Sequence, residues 1–116
     1  MEPSIRVAQL AVCERLSAQP SESPDTLKAG LAKNARGWEL PLNGLRHPPE
    51  GDTSGWYIWS GTELSDDPDF FEPVHVAHLS ELCPLALPYL LLPPGWRFLL
   101  APDIEDLWFD AELLEI

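Results

Sequence analysis

Apolar and polar side chains alternate with period two at four places in this chain and follow the helical period at two others. The densest stretch is Gly55-Trp-Tyr-Ile-Trp-Ser-Gly61, large β-favouring residues between two glycines, with turn chemistry leading in from Gly51. Period two puts Trp56 and Ile58 on one face of this strand and Tyr57 and Trp59 on the other. Either both faces are covered, or one is an aromatic surface left for a partner.

Around that strand the other patterns fall in order. Residues 4–16 predict a helix: Ile5, Ala8, Val12 and Leu16 keep helical spacing, Arg6 and Gln9 lie near the outer face, and Ser4 is a candidate N-cap. A polar, proline-containing connector follows over 17–26. Residues 27–33 alternate as a strand, with Gly30 weighing against a helix. Residues 34–54 are dense in Asn, Pro and Gly and predict a long loop anchored by Leu40, Leu42 and Leu45. After the central strand comes an acidic loop in which Phe70-Phe71 is the expected plug into the core. Residues 74–82 predict a short helix, and Pro84–Leu90 a 3₁₀ piece because Pro88 interrupts it. Trp96–Ala101 and Glu105–Asp110 predict a hairpin around Pro102-Asp103, and 111–116 a last helical turn. These elements imply one domain, residues 1–116, of the α+β class. The expected architecture is an antiparallel sheet of about four strands packed by the N-terminal helix and a short helical pair.

Composition narrows the function. With 45% hydrophobic residues the chain is globular, yet no apolar run is long enough to cross a membrane and the first residues lack a signal-peptide pattern. The two cysteines, Cys13 and Cys83, are expected to be reduced thiols in a cytoplasmic protein. The net charge of −12 argues against nucleic acid as a partner. That charge is uneven: residues 1–60 hold seven acids and six bases, residues 61–116 twelve acids and one base, Arg97. A solvated acidic surface accounts for this, and so does a footprint for a basic partner.

No phosphate loop, nucleophile elbow or zinc-ligand spacing is present. Pro68 breaks the Asp cluster that would otherwise resemble a calcium loop. His75 and His78 stand three apart on the predicted helix, and His47 lies in the long loop. Together they make a small metal-dependent hydrolase the enzymatic alternative, although two ligands on one helix are too few for a site and a structural role fits each His as well. The balance favours a binding protein without metal or cofactor. The candidate partner-binding residues are Asp66, Asp67, Asp69 and Glu72 on the acidic loop and Glu105, Asp106 and Asp110 on the hairpin. Trp59 or Trp108 is the candidate buried anchor, although core packing is the usual fate of any one Trp.

Six motifs, taken as an ordered set, carry a resemblance. They are Asn43-Gly-Leu-Arg-His-Pro-Pro-Glu-Gly51, Gly55-Trp-Tyr-Ile-Trp-Ser-Gly61, Asp66-Asp-Pro-Asp-Phe-Phe71, His75-Val-Ala-His-Leu79, Pro93-Pro-Gly-Trp-Arg-Phe-Leu99 and Glu105-Asp-Leu-Trp-Phe-Asp110. Over about residues 27–113 the chain resembles the bacterial immunity protein family thirty-three of polymorphic toxin systems. Asp103-Ile104 departs from the glycine or aromatic expected in that turn. The resemblance implies a cytoplasmic, non-enzymatic protein that neutralises a cognate protein toxin; the acidic half of the chain implies that the toxin is basic, and the chain is expected to be a monomer or weak homodimer. An acidic adaptor or DNA mimic is the remaining alternative, and would bind several basic proteins rather than one.

Overall fold

The computed structural model describes residues 3–36, 39–65 and 67–115. Helix α1 (Pro3–Arg15) leads to strand β1 (Lys28–Ala32), then β2 (Leu42–Arg46), β3 (Thr53–Ser60) and β4 (Phe71–His75). A 3₁₀ turn (Val76–His78), the one-turn helix α2 (Leu79–Leu82) and a 3₁₀ helix (Pro84–Tyr89) follow. The chain then forms the hairpin β5 (Trp96–Ala101) and β6 (Ile104–Phe109), and a 3₁₀ turn (Ala111–Leu114).

Among the described residues the sheet has six strands, in the order β4-β1-β3-β2-β5-β6. β1 and β3 run parallel and the other neighbours antiparallel. This corrects the expected antiparallel sheet of about four strands, and the two added strands have physical causes. β2 carries the turn signal Asn43-Gly44, but Gly44 is there for space: a Cβ at that position would stand 2.1 Å from the Phe98 ring. The Asn43 amide donates to the Gly61 carbonyl at 2.7 Å, tying two strand ends rather than making a turn. β4 contains Pro73, which an edge strand tolerates. The helix expected over 74–82 therefore begins only after His75.

The central strand starts earlier than its aromatic run. Gly55 has φ of +92° inside β3, and a Cβ there would lie 1.9 Å from the His47 carbonyl oxygen. Only glycine fits this close approach, where the His47 N–H also donates to the Gly55 carbonyl at 2.9 Å.

Side chains at paired positions share a face of the sheet. Trp56, Ile58, Arg46, Leu42, Phe98 and Leu31 therefore form one face, and Tyr57, Leu45, Asn43, Arg97, Gly30 and Phe71 the other. The first face is covered by α1 and the 79–92 segment, and Trp56, Ile58, Leu31, Leu42 and Phe98 are essentially inaccessible. α1 turns Gln9, Val12 and Cys13 inward, so Gln9, expected outside, is 1% exposed. Residues 5, 9, 12, 13 and 16 form a better helical stripe than 5, 8, 12 and 16. The Gln9 amide is accommodated because it donates to the Leu87 carbonyl at 2.8 Å. Pro3 takes the first turn of α1, so Ser4 lies inside the helix rather than capping it.

Candidate partner-binding surface

The acids singled out by the sequence that lie among the described residues do not assemble into one patch. β4 and β6 are opposite edges of the sheet, roughly 24 Å apart at the usual strand spacing. Asp67 and Asp69 lie on the exposed loop before β4; the Asp67 carboxylate accepts from the Asp69 N–H at 2.9 Å and shapes the turn. Asp66 is outside the described residues. Glu72 points to the helix-covered side and is held by Arg36 at 2.6 Å and Lys33 at 3.6 Å.

At the other edge, Glu105 accepts from the Tyr89 hydroxyl at 2.5 Å and from Arg15 at 3.0 Å. The Tyr89 hydrogen bond, helped by Arg15, holds the Glu105 carboxyl below the usual range against the opposing effect of partial burial. Asp110 pairs with Arg97 at 3.1 Å and caps the C-terminal turn by accepting from the Glu112 N–H. Glu72, Glu105 and Asp110 are thus bonded within the fold, while Asp67, Asp69 and Asp106 stand exposed.

Between the edges, the face away from α1 carries an aromatic groove that charge counting does not reveal. Leu45, His47, Tyr57, Leu64 and Phe71 line a recess of about 370 Å³. Tyr57 meets both His47 and Phe71 edge-on, at 5.6 and 5.2 Å between ring centroids. It fits because β1 has glycine opposite: a Cβ on Gly30 would come within 2.6 Å of the Tyr57 ring. Leu64, half exposed, lies on the same loop as the exposed Asp67 and Asp69. At the other end, His47 Nδ1 lies 2.9 Å from the Leu113 carbonyl, which only accepts, so Nδ1 carries the proton.

The predicted anchor Trp59 is 4% exposed and packs edge-on against Phe71 at 6.2 Å, beneath this surface rather than on it. Trp108 is 37% exposed and sits under the Arg97 guanidinium at 5.5 Å.

The three histidines do not converge. His75 and His78 are neighbours, with ring centroids 5.7 Å apart, while His47 follows β2, three strands and roughly 14 Å away. Among the described residues no group of three His, Cys, Asp or Glu side chains could hold a metal ion. Both cysteines are buried free thiols, and burial pushes Cys83 up to about 11, away from the reactive thiolate.

The residue most underestimated by sequence is Arg46. It is fully buried on the covered face, where its guanidinium donates to the carbonyls of Ser54 (2.9 Å), Ser21 (2.9 Å), Glu22 (2.6 Å) and Leu92 (2.8 Å). Burial draws its pKa down to about 10, so it stays charged at neutral pH. One cation thereby fastens the 17–26 connector and the 90–92 turn to the sheet. A basic residue among turn formers offers no signal for this; only the even register of β2 and β3 does.

No curated protein and no solved structure matches the chain. The described fold includes α1, and so does the family match: the Imm33-like domain model covers residues 8–110, beginning within α1 and running through β6. Among the described residues no helix is long and apolar enough to cross a membrane. The chain belongs to the Imm33-like family of immunity-protein domains.

Proposed function

We propose that this chain is a non-enzymatic immunity protein that acts in the cytoplasm by binding a cognate protein toxin. The observation that carries this reading is the family match over residues 8–110. The open face supports it physically. An aromatic recess whose wall residue Leu64 shares its loop with the exposed Asp67 and Asp69 suits a partner that presents an apolar side chain among basic ones. The net charge of −12 speeds encounter with such a partner, while the recess supplies the short-range fit. Trp59 then supports the floor of the site, under Phe71, instead of entering the partner.

The test is co-expression with the toxin encoded beside this gene. Growth is restored by the wild-type chain and not by Leu64→Lys, which puts a long cation on the exposed wall without touching the core. Added salt slows association of the purified pair. If no neighbouring toxin is neutralised, the reading is wrong; if Leu64→Lys protects fully, the toxin binds elsewhere.

A further inference from the structure

The two edges of the sheet differ in a way that points to a second contact. In antiparallel ladders, narrow hydrogen-bonded pairs alternate with wide ones, and residues of wide pairs turn their N–H and C=O outward. On the β4 side, the Val76 N–H donates to the Leu27 carbonyl, which sets the phase: residues 72 and 74 bond inward, and Phe71, Pro73 and His75 face out. Pro73 has no N–H to offer, so the middle of that edge is blocked to an incoming strand.

On the β6 side, the Asp110 N–H donates to the Gly95 carbonyl. With the register of Trp96 opposite Phe109, this turns Glu105, Leu107 and Phe109 outward, each with a free-facing N–H and C=O. β6 has no proline and no lysine, and among the described residues no strand lies beyond it. On one face of β6 apolar and acidic side chains alternate as Ile104, Asp106 and Trp108, followed by Asp110; Ile104 is 55% exposed, and Phe109 on the other face 50%.

We propose that the outer edge of β6 docks an extended basic segment of a partner protein as a seventh strand. Charge selects this occupant. β6 and its flanks carry Asp103, Glu105, Asp106 and Asp110 against Arg97 and Arg15, which are already engaged by Asp110 and Glu105. A second copy of this chain would bring the same excess of acid to the same edge, whereas lysines alternating with apolar residues would meet it favourably. The identity of the partner as the toxin rests on the function proposed above; the preference of the edge for basic strands does not.

The probe is therefore a synthetic hairpin peptide, closed by a disulfide, whose free strand alternates lysine with valine. The control is the same hairpin with glutamate in place of lysine. Amide exchange is followed by NMR. The lysine hairpin slows exchange at Glu105, Leu107 and Phe109 by roughly tenfold or more while leaving Phe71 and His75 unchanged, and the glutamate hairpin does neither. The double variant Ile104→Lys, Asp106→Lys keeps the ladder and replaces only exposed side chains; it loses protection by the lysine hairpin. No protection, equal protection by both hairpins, or protection that grows with protein concentration alone each overturns the proposal, the last in favour of a second copy. Because the toxin is absent from this experiment, failure here leaves toxin neutralisation standing, and failure to neutralise leaves this edge standing.

Discussion

On the covered face of the sheet, polar groups are bonded inward. The Trp56 indole donates to Ser23 Oγ and the Leu90 carbonyl at 3.1 and 3.2 Å, and the Arg46 guanidinium lies 5.7 Å from the same ring with its donors on backbone carbonyls. On the open face, Tyr57, His47 and Phe71 hold one another by ring edges around an unfilled recess, and Leu64 and Trp108 meet solvent. The two faces come from the same alternating strands, so the division of labour rests on what each even or odd position finds opposite. The covered face carries stability and the open face is free to carry recognition. A substitution on either face should therefore move one property and spare the other.

The largest effect is expected at Arg46. Arg46→Met fills similar volume but leaves the carbonyls of Ser21, Glu22, Ser54 and Leu92 without their donor in a dry site. Unfolding in denaturant should show a loss of about 3–5 kcal/mol, a large part of a small domain's total. A loss under about 1 kcal/mol would mean that water replaces the guanidinium, and the comparison of faces would lose its main support. Trp56→Ala should cost a similar 3–5 kcal/mol by opening a cavity against Phe98. Protein that remains folded should still bind the toxin. A Trp56→Ala protein of normal stability that fails to bind would put recognition on the wrong face. Leu64→Lys should change stability by about 0.5 kcal/mol or less, because its side chain is half exposed, while weakening the toxin complex at least roughly tenfold.

How far these roles were legible follows the same division. The alternation through Trp56–Trp59 placed each residue on its correct face, and β1, β5, β6, α1 and the 3₁₀ helix at Pro84 lie where their periodicity puts them, within a residue or two. β2 was hidden because Asn43 and Gly44 look like a turn when read locally; their reason is a ring from β5 some fifty residues away, as the Gly44–Phe98 clearance shows. The parallel pairing of β1 with β3 leaves no local mark at all, since β2 intervenes in sequence but pairs on the far side of β3. The acidic residues were easy to list and hard to place. Charge patterning says nothing about which carboxylates will find an Arg or a Tyr hydroxyl, and Glu72, Glu105 and Asp110 each did.

Smaller effects sharpen the picture at β6. The Tyr89 hydroxyl donates to Glu105, and the Glu105 carboxyl is lowered in the folded chain from its ordinary 4.5. A lowered folded value means that the unfolded chain binds the proton first as pH falls. The contribution of this carboxylate is then complete above 4.5 and disappears as pH drops through its folded value. Tyr89→Phe should return the Glu105 titration, followed by carboxyl NMR, toward 4.5 and make acid unfolding less steep. An unchanged titration would assign the shift to Arg15 instead.

The smallest effect concerns the hairpin that presents β6. Asp103 has φ of +62° directly after Pro102, a position in which glycine is favoured and the side chain of Asp is only tolerated. Asp103→Gly removes that cost and one acid from the crowded edge, but it also loosens the unfolded chain. The expected net gain is small, about 0.5 kcal/mol. Toxin protection should be unchanged, because the turn lies outside the recess and the substitution leaves the outward N–H groups of Glu105, Leu107 and Phe109 in place. Denaturant midpoints settle the sign. A loss instead of a gain would mean that the Asp103 carboxylate makes a contact worth more than the backbone strain. The acidity of this edge would then serve to hold the hairpin together as well as to meet a basic strand.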